Sequence, residues 1–410
     1  RFQANLFKGE LGDDDFERLP LLDVGDIIGV CGSLMLTRRG ELSIKAKSVR
    51  VITKSIRPLP DKWHGLSDVS TRYRQRYVDL MVNPSIRQTF RTRSKIVRFI
   101  RSFLDDRDYL EVETPMLQAI YGGASARPFN THHNALDMPL YLRIAPELNL
   151  KRLVVGGFHR VYELNRCFRN EGVSTRHNPE FTMLEFYQAF ATYNDLMTLT
   201  EEMLCGLCEH LHDKRTVEID DVEISFEAPF RRLSIYEGLV QYAGIDAQKV
   251  NDRSALMDTA TRLNLKGTEA MSLGYLQMEI FEATAEPHLI QPTFVTDFPI
   301  DVSPLSRRKE ANPDLVDRFE LYVAGRELAN AFSELNDPED QYQRFADQVT
   351  QRQTGDDEAH PMDEDYVRAL EYGMPPAAGE GIGIDRLTML MTGNSSIREV
   401  ILFPLLRPES

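Results

Sequence analysis

The chain has 410 residues, of which 42% are hydrophobic, and its formal net charge is −15 at pH 7. This length allows a large core with a second, smaller domain, while the negative charge disfavours a general nucleic-acid binder. No run of about eighteen apolar residues occurs, which excludes a membrane-spanning helix, so no membrane partner is expected. The cysteines are too few for a disulfide scaffold and favour the reducing cytoplasm: Cys31, Cys167, Cys205 and Cys208.

Basic residues cluster near the start of the chain. Between Arg38 and Arg57 the sequence has seven basic residues and one acidic residue, Glu41. A second basic run extends from Arg72 to Arg101. Such regions can bind a phosphate backbone. The same residues can also be solvated faces of strands and helices, and the charge pattern alone favours this second interpretation.

The first 56 residues are predicted to form strands of a small β domain. The strand-like segments are 1–7, 26–36 and 41–53. Alternation in the last segment predicts an inner side formed by Leu42, Ile44, Ala46 and Val49. Because two or three strands cannot close a barrel, and because the sequence begins at Arg1 rather than Met, we expect earlier strands to precede it.

Pro58 and Pro60 mark a predicted linker, residues 57–67, before a larger domain at 68–410. Helices of this domain are predicted at 68–82, 85–107 (with Ser85 as N-cap), 193–212, 341–354, 363–372 and from Ile384 onwards. Strands and hairpins are predicted over 109–190, 293–298 and 319–335, with a mixed pattern at 213–290 and a Pro/Gly-rich passage at 373–383. Strands flanked by helices without strict βαβ alternation predict an α+β domain with an antiparallel sheet.

A first hairpin is predicted where two extended segments flank a polar loop. Side chains alternate along a strand, which places Arg169 with Glu171, and places Phe181 with Glu185 and Tyr187 on the return strand. Arginine can bind phosphate oxygens, an aromatic ring can stack on a base, and carboxylates can hold an ammonium group. From these residues alone, a site for a phosphate and a cation is as consistent as an exposed sheet face with cross-strand ion pairs.

A second hairpin places Glu320 and Glu327 on either side of a turn at Gly325, where they can converge. A carboxylate pair together with bound phosphates is the usual way in which proteins hold Mg²⁺. Beyond the turn an amide, an aromatic ring and a carboxylate alternate on one face and suit an amino-acid pocket: Asn330, Phe332 and Glu334. Two solvent-facing glutamates on a hairpin are the alternative.

The glycine-rich segment from Gly379 to Arg386 is the third candidate element. It resembles a dinucleotide fingerprint, but the βαβ unit with a downstream acid that such a site needs is lacking. Glycines before a helix permit close approach of the backbone to a ligand, and Arg386 at the helix start can reach a phosphate. A glycine-rich turn capped by Asp385 is the alternative.

Two cysteines and two histidines lie close together in a predicted helix: Cys205, Cys208, His210 and His212. Their spacing is not that of a zinc finger, and one helix face cannot present the last three together. We therefore expect no metal site in this segment.

The first hairpin and the glycine-rich segment resemble motifs 2 and 3 of class II aminoacyl-tRNA synthetases. The second hairpin resembles the amino-acid-binding strand that lies between these motifs. The pocket segments are specific to the lysyl-tRNA synthetase family. Motif 1 is matched at 107–117, motif 2 at 161–187 and motif 3 at 379–393. Further matching segments are 122–128, 144–148, 151–157, 329–337 and 397–404. Asp108 and Ala331 stand where this family usually has glycine.

The resemblance implies ATP-dependent activation of L-lysine to lysyl-adenylate and transfer to the 3′ end of tRNA-Lys. It also implies a class II antiparallel sheet flanked by helices, a bound Mg²⁺, a homodimer, and an incomplete anticodon-binding OB-fold at 1–56. Arg169 and Arg386 are the implied catalytic residues, the first bridging the lysine carboxylate and the α-phosphate. Glu147 is implied to bind the lysine α-ammonium group.

The resemblance assigns the other site residues in three groups. The ATP contacts, besides both arginines, are Glu171, His177, Asn178, Phe181 and Gly383. The lysine contacts are Gly123, Glu147, Glu185, Tyr187, Asn330, Phe332 and Glu334. The metal ligands are Glu320 and Glu327.

Two other functions fit the same motifs. A lysine ligase acting on elongation factor P resembles this catalytic domain but lacks an anticodon domain, and residues 1–56 argue against it. A catalytically inactive relative acting as a binding or regulatory module is the second alternative. The presence of Arg169, Glu320, Glu327 and Arg386 argues against that alternative.

Overall fold

The chain divides into two compact units, residues 1–87 and residues 88–410. The structure is a computed structural model that describes residues 2–60, 66–353 and 359–409. Residues 61–65 of the predicted linker, Arg1 of the first predicted strand and Thr354 of a predicted helix lie outside the described residues.

The first unit contains a sheet of three described strands in the order Gln3–Asn5, Leu42–Thr53, Ile27–Leu36. The two long strands are antiparallel and the short first strand is parallel to its neighbour. The predicted strands are confirmed, but the predicted inner side is only partly correct. Ala46 is fully buried, whereas Leu42 is 51% exposed because it lies at the end of the hairpin.

The predicted helix 68–82 is interrupted. Its two parts are Val69–Arg74 and Arg76–Val82, because Gln75 between them leaves the helical conformation. Asp68 caps the first part by accepting a hydrogen bond from the Thr71 amide at 2.8 Å. The other helices of this unit are short, Asp13–Glu17 and the 3₁₀ turn Leu19–Leu21.

The second unit is organised around an eight-stranded sheet among the described residues. Its spatial order is Arg231–Ser234, Thr293–Pro299, Leu315–Tyr322, Glu327–Ser333, Ala377–Gly383, Glu180–Ala189, Arg160–Phe168 and Leu110–Glu111. Adjacent strands are antiparallel except for the two outermost pairs, which are parallel. The predicted α+β class with an antiparallel sheet is therefore confirmed.

Two helices cover one face of this sheet, Pro84–Asp105 and Tyr193–His212. Leu184 and Phe186 point to that face, are fully buried, and pack with both helices in the largest hydrophobic cluster. Since successive side chains of a strand alternate, the residues between them face the opposite side of the sheet. The two helices therefore cover one face, while the opposite face carries polar groups together with residues of two other hydrophobic clusters, such as Val161 and Val295.

Further helices surround the sheet: Glu147–Val155, Ile235–Ala243, Arg253–Arg262, Leu273–Thr284, Pro338–Gln353, Glu364–Glu371, Ile384–Thr392 and Ile397–Val400. Short 3₁₀ turns lie at Ala247–Lys249, Thr268–Ala270, Glu286–His288 and Ile300–Val302. Two small sheets pair Leu117–Gln118, Met138–Leu142 and Asn130–His133, and Thr216–Ile219 with Val222–Ser225. Among the described residues, no helix is long and apolar enough to cross a membrane.

Helix Pro84–Asp105 differs from its prediction at both ends. It begins at Pro84, so Ser85 lies inside the first turn and the predicted N-cap is wrong. At its other end Asp108 has a φ of 61° and the Tyr109 amide donates to the Leu104 carbonyl. This left-handed position after a helix favours glycine, which accounts for the glycine that relatives of motif 1 usually have there.

The Pro/Gly-rich passage at 373–383 contains a strand in addition to a connecting loop. Ala377–Gly383 forms a strand in the middle of the eight-stranded sheet, between Glu327–Ser333 and Glu180–Ala189. Glycine weakens a strand and usually marks a position where a ligand or another chain segment approaches closely.

Candidate active site

The floor of the site is formed by directly opposed residues on adjacent strands. One row consists of Glu185, Gly381, Asn330 and Glu320, and the next consists of Tyr187, Gly379, Phe332 and Arg318. Opposed residues in a sheet share a face. The glycines of the central strand thus leave space between side chains that rise from the strands on either side.

A cavity of about 310 Å³ lies over this floor. Fifteen of the sixteen predicted site residues line it, so the structure brings together the hairpins and the glycine-rich segment that the sequence analysis singled out. The exception is Glu334, which is 1% exposed. Its carboxylate lies where a Cβ atom of residue 379 would be, next to Gly379.

Two glycines keep the cavity open. A Cβ atom on Gly379 would overlap with the ring of Tyr187 and the carboxylate of Glu334. Gly123 has a φ of 89°, and a Cβ there would lie 2.8 Å from the Cβ of Glu147. Both positions therefore require glycine if the carboxylates are to keep their places.

Three carboxylates are buried at the inner end of the site, on Glu147, Glu185 and Glu334. Lys151 lies among them, with its Nζ 2.5 Å from Glu147 Oε1 and also paired with Glu334. Tyr187 donates a hydrogen bond to Glu185 at 3.2 Å. A buried carboxylate is costly unless it is paired, so this end of the cavity is built to receive positive charge.

Burial raises the pKa of each of these carboxyl groups above its usual range. The pKa of Glu185 rises to about 8, chiefly through burial and further through the neighbouring charge of Glu147. Burial alone would lower the pKa of Lys151, but Glu147 and Glu334 outweigh it and the net shift is upward. Lys151 is therefore charged, while some of the surrounding carboxyl groups hold protons at neutral pH.

Arg169 lies between the buried and exposed ends of the cavity. The strand Arg160–Phe168 ends just before it, so the prediction that Arg169 and Glu171 alternate within a strand is wrong. Both residues begin the loop, where the Arg169 amide donates to the Pro179 carbonyl at 2.9 Å. The Arg169 guanidinium lies 5.0 Å from the Phe181 ring, and its buried Nε has no hydrogen-bond partner among the described residues.

The exposed end carries the second arginine. Arg386 lies in the first turn of helix Ile384–Thr392, and its Nη1 donates to the carbonyl and carboxylate of Glu327 at 2.8 and 3.1 Å. Its Nη2 is 3.3 Å from His177 Nε2. Burial and the charge of Arg386 lower the pKa of His177, so the imidazole is neutral at neutral pH and can act as a donor without adding charge.

Glu320 and Glu327 approach one another from opposite strands of the second hairpin. Glu320 accepts hydrogen bonds from Arg318 at 2.5 Å and from Tyr322 at 2.7 Å. Burial raises the pKa of Glu320, and the charge of Glu327 raises it further, which reflects their proximity. Among the described residues no group of three acidic, histidine or cysteine side chains could hold a metal. A carboxylate pair without a third protein ligand fits Mg²⁺, which takes its other ligands from phosphates and water.

One predicted ATP contact, Asn178, and one predicted cap, Asp385, form other hydrogen bonds. The Asn178 side chain donates to the Glu180 carbonyl at 2.7 Å and accepts from the Leu405 amide at 3.2 Å, so both of its polar ends are engaged. Asp385 does not cap its helix but accepts from the Thr182 amide at 2.7 Å, which fastens motif 3 to motif 2.

Sequence reasoning gave no role to two cations at the site. Lys151 lies four residues after Glu147 on one helix, a spacing that predicts an ion pair. Arg318 lies two residues before Glu320 on one strand, a spacing that places both on one face. The Arg318 Nε also donates to Asn330 at 2.9 Å, so it connects the carboxylate pair with the buried end.

Residues 68–407 match the family described as tRNA synthetases class II (D, K and N). The chain is 56% identical to the lysine–tRNA ligase of Pelotomaculum thermopropionicum, over 97% of this chain and 79% of that protein. It is 55% identical to the lysine–tRNA ligase of Carboxydothermus hydrogenoformans, over 100% of this chain and 84% of that protein. It is 58% identical to the lysine–tRNA ligase of Idiomarina loihiensis, over 95% of this chain and 77% of that protein. The chain belongs to the lysyl-tRNA synthetase family.

One departure from the pattern of the lysyl-tRNA synthetase family does not affect the cavity. Ala331 lies between two pocket residues on its strand, so its side chain points to the opposite face. It is fully buried in the main hydrophobic cluster. Its methyl group therefore does not point into the cavity.

The cysteines and histidines near the end of the helix Tyr193–His212 have separate surroundings. Cys205 and Cys208 are buried in the helix Tyr193–His212 as part of the main hydrophobic cluster. His212 pairs instead with the carbonyl of Met391, at 3.1 Å.

Gly379→Ala is expected to destabilise the protein by about 1–3 kcal/mol, the usual cost of forcing an extra methyl into a packed site. Its new methyl would overlap with Tyr187 and Glu334. The matched control is Gly381→Ala on the same strand and face, whose methyl would meet its nearest neighbour, Glu185 Cγ, at an ordinary 3.6 Å. The measurement is the urea midpoint of unfolding for both variants, and equal midpoints would contradict the proposed packing.

Proposed function

We propose that this chain uses ATP to activate L-lysine as lysyl-adenylate and then transfers the lysyl group to the 3′ end of tRNA-Lys. The observation that carries the proposal is a cavity lined by the buried carboxylates of Glu147 and Glu185, with the buried Glu334 next to Gly379 in its wall, and by two arginines, Arg169 and Arg386. Such a cavity suits an amino acid with two ammonium groups and a carboxylate bound beside a polyphosphate. The activity named for the similar ligases supports the same reaction.

The buried carboxylates select lysine by charge. Glu147, next to Gly123, would bind the α-ammonium group, while Glu185 and Glu334 would bind the ε-ammonium group. Tyr187, Asn330 and Phe332 would line the path of the alkyl chain. A neutral side chain would leave buried carboxyl groups without a partner, and sites of this kind reject such analogues strongly.

Activation needs no general base, because the lysine carboxylate is already a nucleophile at neutral pH. A carboxylate oxygen attacks the α-phosphorus, the bond to pyrophosphate breaks, and the 3′-terminal ribose hydroxyl later attacks the lysyl carbonyl to release AMP. Arg169 would contact both the lysine carboxylate and the α-phosphate and so align them. This contribution is positioning and charge neutralisation.

The remaining ATP contacts are those that the family resemblance implies, and the residues concerned line the cavity. Phe181 would stack on the adenine ring, Glu171 would accept from its amino group, and Gly383 would allow close approach of the backbone. Arg386 and His177 would bind the distal phosphates, with Asn178 holding the loop beneath them. Glu320 and Glu327 would hold Mg²⁺, which when bound neutralises charge on the phosphates.

The proposal extends to the rest of the chain. Residues 1–56 would belong to an anticodon-binding OB-fold, 57–67 would link it to the catalytic domain at 68–410, and motif 1 would form a homodimer. The free cysteines among the described residues agree with a reducing cytoplasm.

The direct test compares two acceptors, purified tRNA-Lys and elongation factor P, with labelled lysine and ATP. We expect label on tRNA-Lys. Label on elongation factor P alone would transfer the same chemistry to the rival ligase function, and no activation of lysine at all would favour an inactive relative.

Arg169→Ala is expected to slow lysine-dependent ATP–pyrophosphate exchange by about 10²–10³-fold, the effect of losing one donor that stabilises a transition state. The Arg169 guanidinium has a buried nitrogen with no partner among the described residues, so the side chain is available to an anion. Arg215→Ala is the control, because that arginine is exposed and pairs only with surface glutamates. A rate for Arg169→Ala within a few-fold of the wild type would exclude the role.

The KM for lysine is expected to fall as pH rises from 6 to 8.5. Glu185 has a pKa of about 8 in the free protein, so below that pH it must lose a proton before it can pair with an ammonium group. Each released proton changes the affinity by up to about tenfold per pH unit. The charged and titratable groups that act on Glu185 include Glu147, Glu334, Tyr187, Cys167, Arg143 and Arg169, and Glu163 lies opposite it on the adjacent strand.

Pyrophosphate exchange at several lysine concentrations measures this KM across the pH range. Glu185→Gln should raise the KM at every pH and weaken its dependence on pH, since one titrating group is lost. A wild-type KM that is constant from pH 6 to 8.5 would contradict the assignment of Glu185.

A further inference from the structure

Among the described residues, Lys151 is the one lysine that pairs with the buried carboxylates at the inner end of the site. It is fully buried and reaches Glu147 on its own helix and Glu334 beyond the end of a sheet strand. Its Nζ also lies 5.0 Å from the ring of Phe332, so a cation–π contact adds to the two ion pairs. A lysine in this position has given up all of its hydration and a large side-chain entropy, which these contacts must offset.

The other buried cations nearby already have carboxylate partners of their own. Arg143 pairs with Glu163 at 2.6 Å, and Arg318 pairs with Glu320 at 2.5 Å. His360 is neutral, because burial and the charge of Lys151 lower its pKa to about 4. Tyr187 and Tyr366 stay protonated, because burial raises the pKa of both phenols. In the part of the chain that the structure describes, Lys151 is therefore the one cation that forms ion pairs with this group of carboxylates, while Arg143, Arg169 and Arg318 act on the group through longer-range charge interactions.

The charges then balance with one particular ligand. The carboxylates of Glu147, Glu185 and Glu334 and the ammonium of Lys151 sum to two negative charges when all are ionised. Under the proposed function, the α- and ε-ammonium groups of lysine supply two positive charges. The carboxylate of lysine meets Arg169 instead, outside this group.

We propose that Lys151 is a positioning residue for lysine recognition, which holds Glu147 and Glu334 in place and sets the charge of the pocket to match two ammonium groups. This inference rests on the proposed function. Lys151 acts through the two carboxylates and does not itself contact the reacting atoms.

Loss of Lys151 has a definite physical consequence. Three buried carboxyl groups without a resident cation would repel one another more strongly and would hold their protons to higher pH. The substrate lysine would then have to displace protons that are bound more tightly. In addition, Glu147 and Glu334 would no longer be held in place by a shared donor. Affinity for lysine would fall, most of all at low pH, while the phosphate end of the cavity would be unchanged.

The test is lysine-dependent pyrophosphate exchange from pH 6 to 9, with Lys151→Met, Lys151→Gln and the wild type. Both variants should raise the KM for lysine at pH 7.5 by about 10- to 100-fold, the loss expected for a hydrogen bond to a charged group. The KM for ATP should stay within about threefold, and the pH at which the lysine KM levels off should move upward. Lys249→Met, at an exposed lysine outside the cavity, is the matched control.

Three results would overturn the role of Lys151. An unchanged KM for lysine would show that its charge is not used, and a lower KM would show that it competes with the substrate. A raised KM with the pH profile of the wild type would reduce it to packing. Because Gln retains a donor of similar length, it covers the case in which Met does not fold. Absence of exchange in the wild type would contradict the proposed function itself.

Discussion

Burial of three carboxylates on one face of a sheet is the constraint on which the rest of the structure depends. Removing a carboxylate from water costs several kcal/mol unless a cation or a hydrogen-bond donor replaces the lost hydration. Lys151 supplies one cation for Glu147 and Glu334, and Tyr187 supplies a donor for Glu185. Under the proposed function, the remaining demand for positive charge is met by the ammonium groups of lysine.

The architecture of the sheet follows from that demand. A strand with glycine at alternate positions runs through the middle of the sheet, so that ligand space exists above a continuous hydrogen-bonded floor. On the other face of the sheet, Leu184 and Phe186 pack with two long helices, and this apolar burial anchors the strands that carry the charges. The polarity reverses along the cavity, because Arg169 and Arg386 lie towards its exposed end. An amino acid and a polyphosphate can therefore lie end to end with each charge facing its opposite.

Much of this arrangement could be predicted from residue patterns. The helix Tyr193–His212 and both hairpins have strong periodicity and clear turn residues, and alternation along the hairpin strands placed Phe181, Glu185, Tyr187, Asn330 and Phe332 in the cavity lining. The family resemblance added the roles, which local patterns do not contain.

The remainder depends on three-dimensional context. Ser85 has the chemistry of a cap, but the proline before it starts the helix, and Leu42 alternates correctly but lies where its hairpin ends. The segment 373–383 has the composition of a loop, yet pairing on both sides makes part of it a central strand. Lys151 was overlooked because its second partner, Glu334, is distant in sequence and close only in the folded chain.

The central claim is that buried carboxylates select lysine by its charge, and calorimetric titration of lysine against norleucine tests it most directly. Norleucine has the same alkyl chain length and lacks only the ε-ammonium group. Norleucine is expected to bind at least about 1,000-fold more weakly than lysine, because it does not bring the ε-ammonium group that would offset the charge of Glu185 and Glu334. Affinities within about tenfold of each other, the discrimination expected from shape alone, would contradict the account.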